Sequence, residues 1–123
     1  MPAYNNSTPP LSLFPGDVGF SFNAEAFPAA GTSGSQFAIP EPSGFPDQSH
    51  TVRWQTIFGT APTAINIRLQ GAAADVDAEY FDLDTSTATA GEARTVTPVR
   101  SRFLRIKLYS SSGGAALTAK MLP

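Results

Sequence analysis

Residues 64–70 read Ala64-Ile65-Asn66-Ile67-Arg68-Leu69-Gln70. Successive side chains of an extended chain point to opposite faces. Ile65, Ile67 and Leu69 therefore share one side, and Asn66, Arg68 and Gln70 the other. This strict alternation is a strand with one buried and one wet face, which belongs to an antiparallel sheet. Pro62 before it and Gly71 after it break the pattern on both sides.

The same rhythm recurs outward from this stretch. Residues 78–83 put Phe81 and Leu83 on the apolar side. Residues 94–99 form a strand whose Pro98 lacks an amide donor and so belongs at an edge or a bend. Residues 102–109 place Leu104, Ile106 and Leu108 inward and Phe103, Arg105, Lys107 and Tyr109 outward. Residues 115–122 place Leu117, Ala119 and Met121 inward and Thr118 and Lys120 outward. Upstream, residues 51–58 align Val52, Trp54, Thr56 and Phe58 on one parity. Trp54 belongs in the core, where its large apolar area is best used. Tyr109 and Phe103, on the polar side of their strand, are expected either under the N-terminal arm or in a subunit interface. No segment keeps a helical period over three turns. About six strands spaced by roughly 8–15 residues, with turn signals between, define an all-β chain. Residues 50–123 are expected to form a small antiparallel β-sandwich, jelly-roll-like.

The first 49 residues have another texture. They hold eight of the eleven prolines: Pro2, Pro9, Pro10, Pro15, Pro28, Pro40, Pro42 and Pro46. Proline fixes φ and opposes central strands, so residues 1–49 read as a long extended N-terminal arm. Solvated linkers are depleted in aromatics, whereas this stretch is rich in them, so the arm is expected to be ordered. Val18, Phe20 and Phe22 alternate with Gly19 and Ser21 as one short strand, and residues 36–39 suggest another. Leu11, Leu13, Phe14, Phe20, Phe22, Phe27, Phe37 and Phe45 are the expected partner-binding residues, gripping the chain's own sandwich or a neighbouring subunit.

Only 15% of the residues are charged, against the usual ~25%. A surface this poor in charge suits partial cover by a partner, and a homo-oligomer is expected. The net charge is −2 with acids and bases mixed, so no basic block offers itself to a row of phosphates and nucleic acid is not expected. The chain has no cysteine, which removes disulfides, thiolate metal sites and a Cys nucleophile. The leading residues Met1 to Asn6 have neither a basic region nor an apolar run, and no run of ~18 apolar residues follows. No leader and no membrane partner are expected.

Chemistry-bearing residues are few. The lone His50 has no identifiable nucleophile or orienting acid beside it and reads as a surface or packing residue. Asp75, Asp77, Glu79, Asp82 and Asp84 form an acidic cluster. Ca²⁺ needs roughly six to eight oxygens, and the cluster lacks the EF-hand glycine and terminal Glu, so a solvated loop is preferred to a metal site. Asp82 and Asp84 stand about 7 Å apart if their strand is regular, a spacing tolerable for a glycosidase but given by any polar strand face. No nucleophile, base and orienter can be named together, so neither catalysis nor a cofactor is expected.

The stretch from Thr51 to the end resembles the small β-sandwich proteins that serve as accessory components of bacteriophage virions: head decoration (cement) proteins, head fibres and tail-associated modules. The residues that carry the resemblance are Trp54-Gln55-Thr56, Ile65 to Gly71, Tyr80-Phe81-Asp82-Leu83-Asp84, Phe103 to Leu108, Ser112-Gly113-Gly114 and Leu117-Thr118-Ala119. The leading stretch is similar to the arms with which cement proteins clasp capsomers. The resemblance implies a structural virion protein assembled in the host cytoplasm. Its partners would be the major capsid protein or other virion subunits, and its task to stabilise a phage head by bridging capsid subunits. The alternative is a tail-associated receptor- or carbohydrate-binding module, with Trp54, Tyr80, Tyr109 and Asp82 at its site.

Overall fold

The computed structural model describes residues 11–13, 17–39 and 50–122. They form β1 (Leu11–Ser12), β2 (Gly19–Glu25), β3 (Thr32–Ser33), β4 (Phe37–Ala38), β5 (His50–Thr60), β6 (Ala64–Ala72), β7 (Phe81–Ser86), β8 (Ala93–Val99), β9 (Phe103–Ser112) and β10 (Ala115–Leu122), with one short 3-10 turn at Asp77–Glu79. One sheet runs β1-β4-β9-β6-β7, with β3 also paired to β9; the other runs β2-β10-β5-β8. All pairings are antiparallel except the two-residue β1–β4 pair. If β3 and β4 are taken as one interrupted strand, the chain alternates between sheets in the order of a double-sheet jelly roll. The expected all-β sandwich is therefore the observed fold.

The inward rows are those read from the alternation. Ile65, Ile67 and Leu69 from β6 and Leu104, Ile106 and Leu108 from β9 face Val52 and Trp54 from β5 and Leu117, Ala119 and Met121 from β10 in one core. β8 is an edge strand, as Pro98 requires.

The leading stretch is not laid against this block; its described part belongs to it. β2 is the neighbour of β10, and Phe22, fully buried, stands opposite Ala119. Leu13, Phe37 and Ile39 close the core beside it. Without β2 the inner row of β10 keeps lateral cover from β5 on one side only.

Two parities differ from expectation. In β2, Ser21 and Gly19 face inward while Val18 and Phe20 are exposed. Register shifts against β10 then bring Phe22 inward as well. Ser21 is drawn in by an orphan donor. The partners of β9 break between β3 and β4, and there the Ser21 hydroxyl accepts from Ile106 N (3.1 Å) and donates to the Ser35 carbonyl (2.9 Å). A buried backbone N–H without a partner costs about 1–3 kcal/mol, which outweighs the alternation. In β7, Phe81 is 54% exposed, while Leu83, the extra residue at a register shift against Leu69 and Gln70, packs against the core.

Gly34 sits at the break between β3 and β4. An added Cβ would lie 2.5 Å from the Ser21 carbonyl oxygen and 2.8 Å from Ser21 Cβ. Neither is the end of a flexible side chain, so Gly34→Ala must shift β2 away from the segment joining β3 and β4. A loss of about 1–3 kcal/mol is expected, typical of overpacking and read as a lowered denaturant midpoint. An unchanged midpoint would mean that the two segments are not held this close.

Candidate interaction surfaces

Among the described residues no α-helix lies against the outer face of either sheet. On the four-stranded sheet, Phe20, Lys120, Gln55 and Ala93 form one cross-strand row, and Leu122, Arg53 and Thr95 the next. Ile57 stands opposite Thr118, and Thr51 donates to the Thr97 hydroxyl at 3.0 Å. The outward positions of β5, β8 and β10 carry two cations, Arg53 and Lys120, and no carboxylate. Phe20 and Ile57 are both exposed, and Lys120 Nζ lies 5.9 Å from the Phe20 ring centroid.

The outer face of the other sheet is polar and internally bonded. Arg105, 2% exposed, donates from Nε to Gln70 (2.8 Å) and from Nη1 to Asp77 (2.7 Å), with its guanidinium 4.0 Å from the Tyr80 centroid. The loop between β6 and β7 thus folds over Arg105. This is why one outward residue of β9 is buried while Tyr109 is open. Gln70 donates to Asp82 (2.9 Å), which also receives Arg68. Asp84 takes another route. The same register shift in β7 turns it inward, where it accepts from Trp54 Nε1 (2.9 Å) and Arg94 Nε (2.7 Å). No buried side-chain nitrogen or oxygen among the described residues lacks a partner.

The described members of the sequence-derived site set are divided between the core and the surface. Leu13, Phe22 and Phe37 are buried in the chain's own core. They cannot face a separate partner, because the sandwich itself uses their apolar area. Phe27 is half-buried and stacks on Phe58, with centroids 5.8 Å apart. Phe20 alone of the described group is exposed. Leu11 enters through its backbone pairing with Phe37; Phe14 and Phe45 lie outside the described residues.

The sugar-site set also separates. Trp54 and Tyr80 are buried, whereas Tyr109 and Asp82 share an outer face with Arg68 between them. The acidic cluster is dispersed: Asp75 accepts from the Tyr80 hydroxyl, Asp77 from Arg105, Asp82 from Arg68 and Gln70, and Asp84 from Trp54 and Arg94. Among the described residues no group of three or more His, Asp or Glu is placed to hold a metal ion. Ser21, Arg68 and Gln55 carried no signal that sequence reading picked out. Their roles depend on which strands are neighbours.

Burial alone would raise the Asp84 carboxyl, but hydrogen bonds from Arg94, Trp54 and Thr85 N and the Arg94 charge outweigh it and hold it below the usual carboxylate range. Asp82 is lowered in the same way: desolvation opposes, while Gln70, Arg68 and the Lys107 charge prevail. A carboxylate depressed in the folded state stabilises above its unfolded pKa, and that stabilisation is lost as pH falls through the folded one. Thermal stability is therefore expected to be level near neutrality and to decline below about pH 4. Asp84→Asn should flatten that decline, and an unchanged acid profile in this variant would contradict the assignment.

The chain matches no family model, no curated protein and no solved structure in the three comparisons made. The fold and its two outer faces define a class, a double-sheet jelly roll whose described outer faces differ in chemistry.

Proposed function

We propose that the chain is a structural virion protein, a capsid decoration (cement) protein that stabilises a phage head by bridging subunits of the major capsid protein. The observation that carries the reading is the outer face of the four-stranded sheet. It offers Phe20, Ile57, Leu122 and a run of threonines, and among the described residues the outward positions of β5, β8 and β10 carry Arg53 and Lys120 and no carboxylate. Such a face fits a flat protein surface bearing carboxylates, and like charge opposes its pairing with itself face to face. Double-sheet jelly rolls recur in viral capsid and lectin domains, which supports the reading by fold analogy. A homo-oligomer on the lattice, assembled in the host cytoplasm, belongs to the same proposal.

The test is co-sedimentation of the purified chain with empty heads that lack it. Saturable binding is expected, cut at least tenfold by Ile57→Asp and weakened by salt. No binding by the wild type, or full binding by Ile57→Asp, overturns the reading.

A further inference from the structure

The opposite outer face holds an arrangement that the lattice reading leaves unused. Arg68 and Lys107 stand directly across from each other on β6 and β9. Like charges in that position destabilise a sheet unless something offsets them. Asp82 offsets one: Arg68 donates to it from Nη1 (2.5 Å) and to Asn66 Oδ1 from Nε (3.1 Å). The guanidinium carbon also lies 3.7 Å from the Tyr109 centroid. Lys107 Nζ is 5.2 Å from the same ring and makes no ion pair among the described residues.

Two register shifts bracket Arg68. One, between Leu69 and Gln70 against β7, turns Asp82 outward. The other, between Asn66 and Ile67 against β9, inserts Tyr109 as the extra residue. Bulges re-aim side chains and recur beside binding sites. Here both aim a side chain at the same guanidinium, which is thereby fixed before any ligand arrives and loses little rotamer freedom on binding.

We propose that Tyr109, Arg68 and Lys107, supported by Asn66 and Asp82, bind an acidic sugar: a pyranose bearing a carboxylate or sulfate. A simple anion would meet the Asp82 carboxylate beside the guanidinium, and a neutral sugar would bring Lys107, which acts on Asp82 only through space, no anion to bond. One ring with both hydroxyl donors and an anionic substituent satisfies the set. Hydroxyls donate to Asp82, the anion takes a charge-assisted bond from Lys107, and the ring's C–H face lies on Tyr109, which is 36% exposed. The site uses no residue of the proposed lattice face and stands or falls separately from it.

The test is NMR titration of the isotopically labelled full chain with sialyllactose, a sulfated heparin disaccharide, lactose and inorganic sulfate. Saturable shifts at residues 66–68 and 107–109 are expected with one or both acidic sugars. The two acidic arms tell a carboxylate from a sulfate ligand. Lys107→Ala and Tyr109→Ala should each weaken binding at least tenfold with the spectrum still dispersed, and Arg100→Ala should leave it unchanged. The proposal is overturned if neither acidic sugar binds, if lactose or sulfate binds as tightly, or if Lys107→Ala keeps full affinity.

Discussion

A chain begun at His50 is expected to fail to fold, rather than to fold and lose only its partner. Removing residues 1–49 takes away Leu13, Phe22, Phe37 and Ile39, all buried. At ~1.5–3 kcal/mol for each buried side chain, the gross loss is roughly 6–12 kcal/mol. Whole domains are stable by only ~5–15 kcal/mol. The truncation also uncovers the inner row Leu117, Ala119 and Met121 along β10 and removes the Ser21 acceptor from Ile106 N. Circular dichroism of the truncated chain should show no cooperative melt, and the protein should aggregate through the newly exposed edge of β10. Phe22→Ala in the full chain is the milder form of the experiment, with an expected loss of about 3–5 kcal/mol. A truncated chain that melts cooperatively near the parent temperature would show that residues 50–123 are self-sufficient after all.

Trp54→Ala is expected to be the most damaging single substitution. The ring is 1% exposed, packs in the common core, and donates from Nε1 to Asp84 between the two sheets. Deleting a buried aromatic costs about 3–5 kcal/mol, most of it from the cavity left behind. For a chain of this size that lowers the melting temperature by roughly 10–20 °C. Trp54→Phe separates packing from the hydrogen bond. Asp84 keeps Arg94 and the Thr85 amide, so the loss should be nearer 1 kcal/mol. Equal losses in the two variants would mean that the bond to Asp84, not the ring volume, holds the sheets together.

Much of the fold was legible because period-two alternation reports burial directly. The strand at Ala64–Ala72 and the rows Leu104, Ile106, Leu108 and Leu117, Ala119, Met121 needed only the pleat to be placed inward. The assignment of Trp54 to the core followed from its area. Alternation failed at Ser21 and Asp84, where a bulge changes which residue faces in. A bulge answers a distant hydrogen-bonding need that no local window contains. Of the leading phenylalanines, read as gripping either the chain's own sandwich or a neighbouring subunit, Phe22 and Phe37 are buried in the chain's own core while Phe20 is exposed. Their number signals burial, but composition does not say in what.

The amino-acid sequence by itself determined that the chain is all-β, antiparallel and two-layered, because those properties follow from residue type and the two-residue pleat. Only the tertiary structure decided that β2 completes one sheet, that Asp82 and Asp84 part company, and that Arg68 meets Tyr109 and Lys107. Those pairings join residues from opposite ends of the described chain, as Gly19 and Met121 are, and are fixed by core closure and by the hydrogen bonds that buried backbone must make.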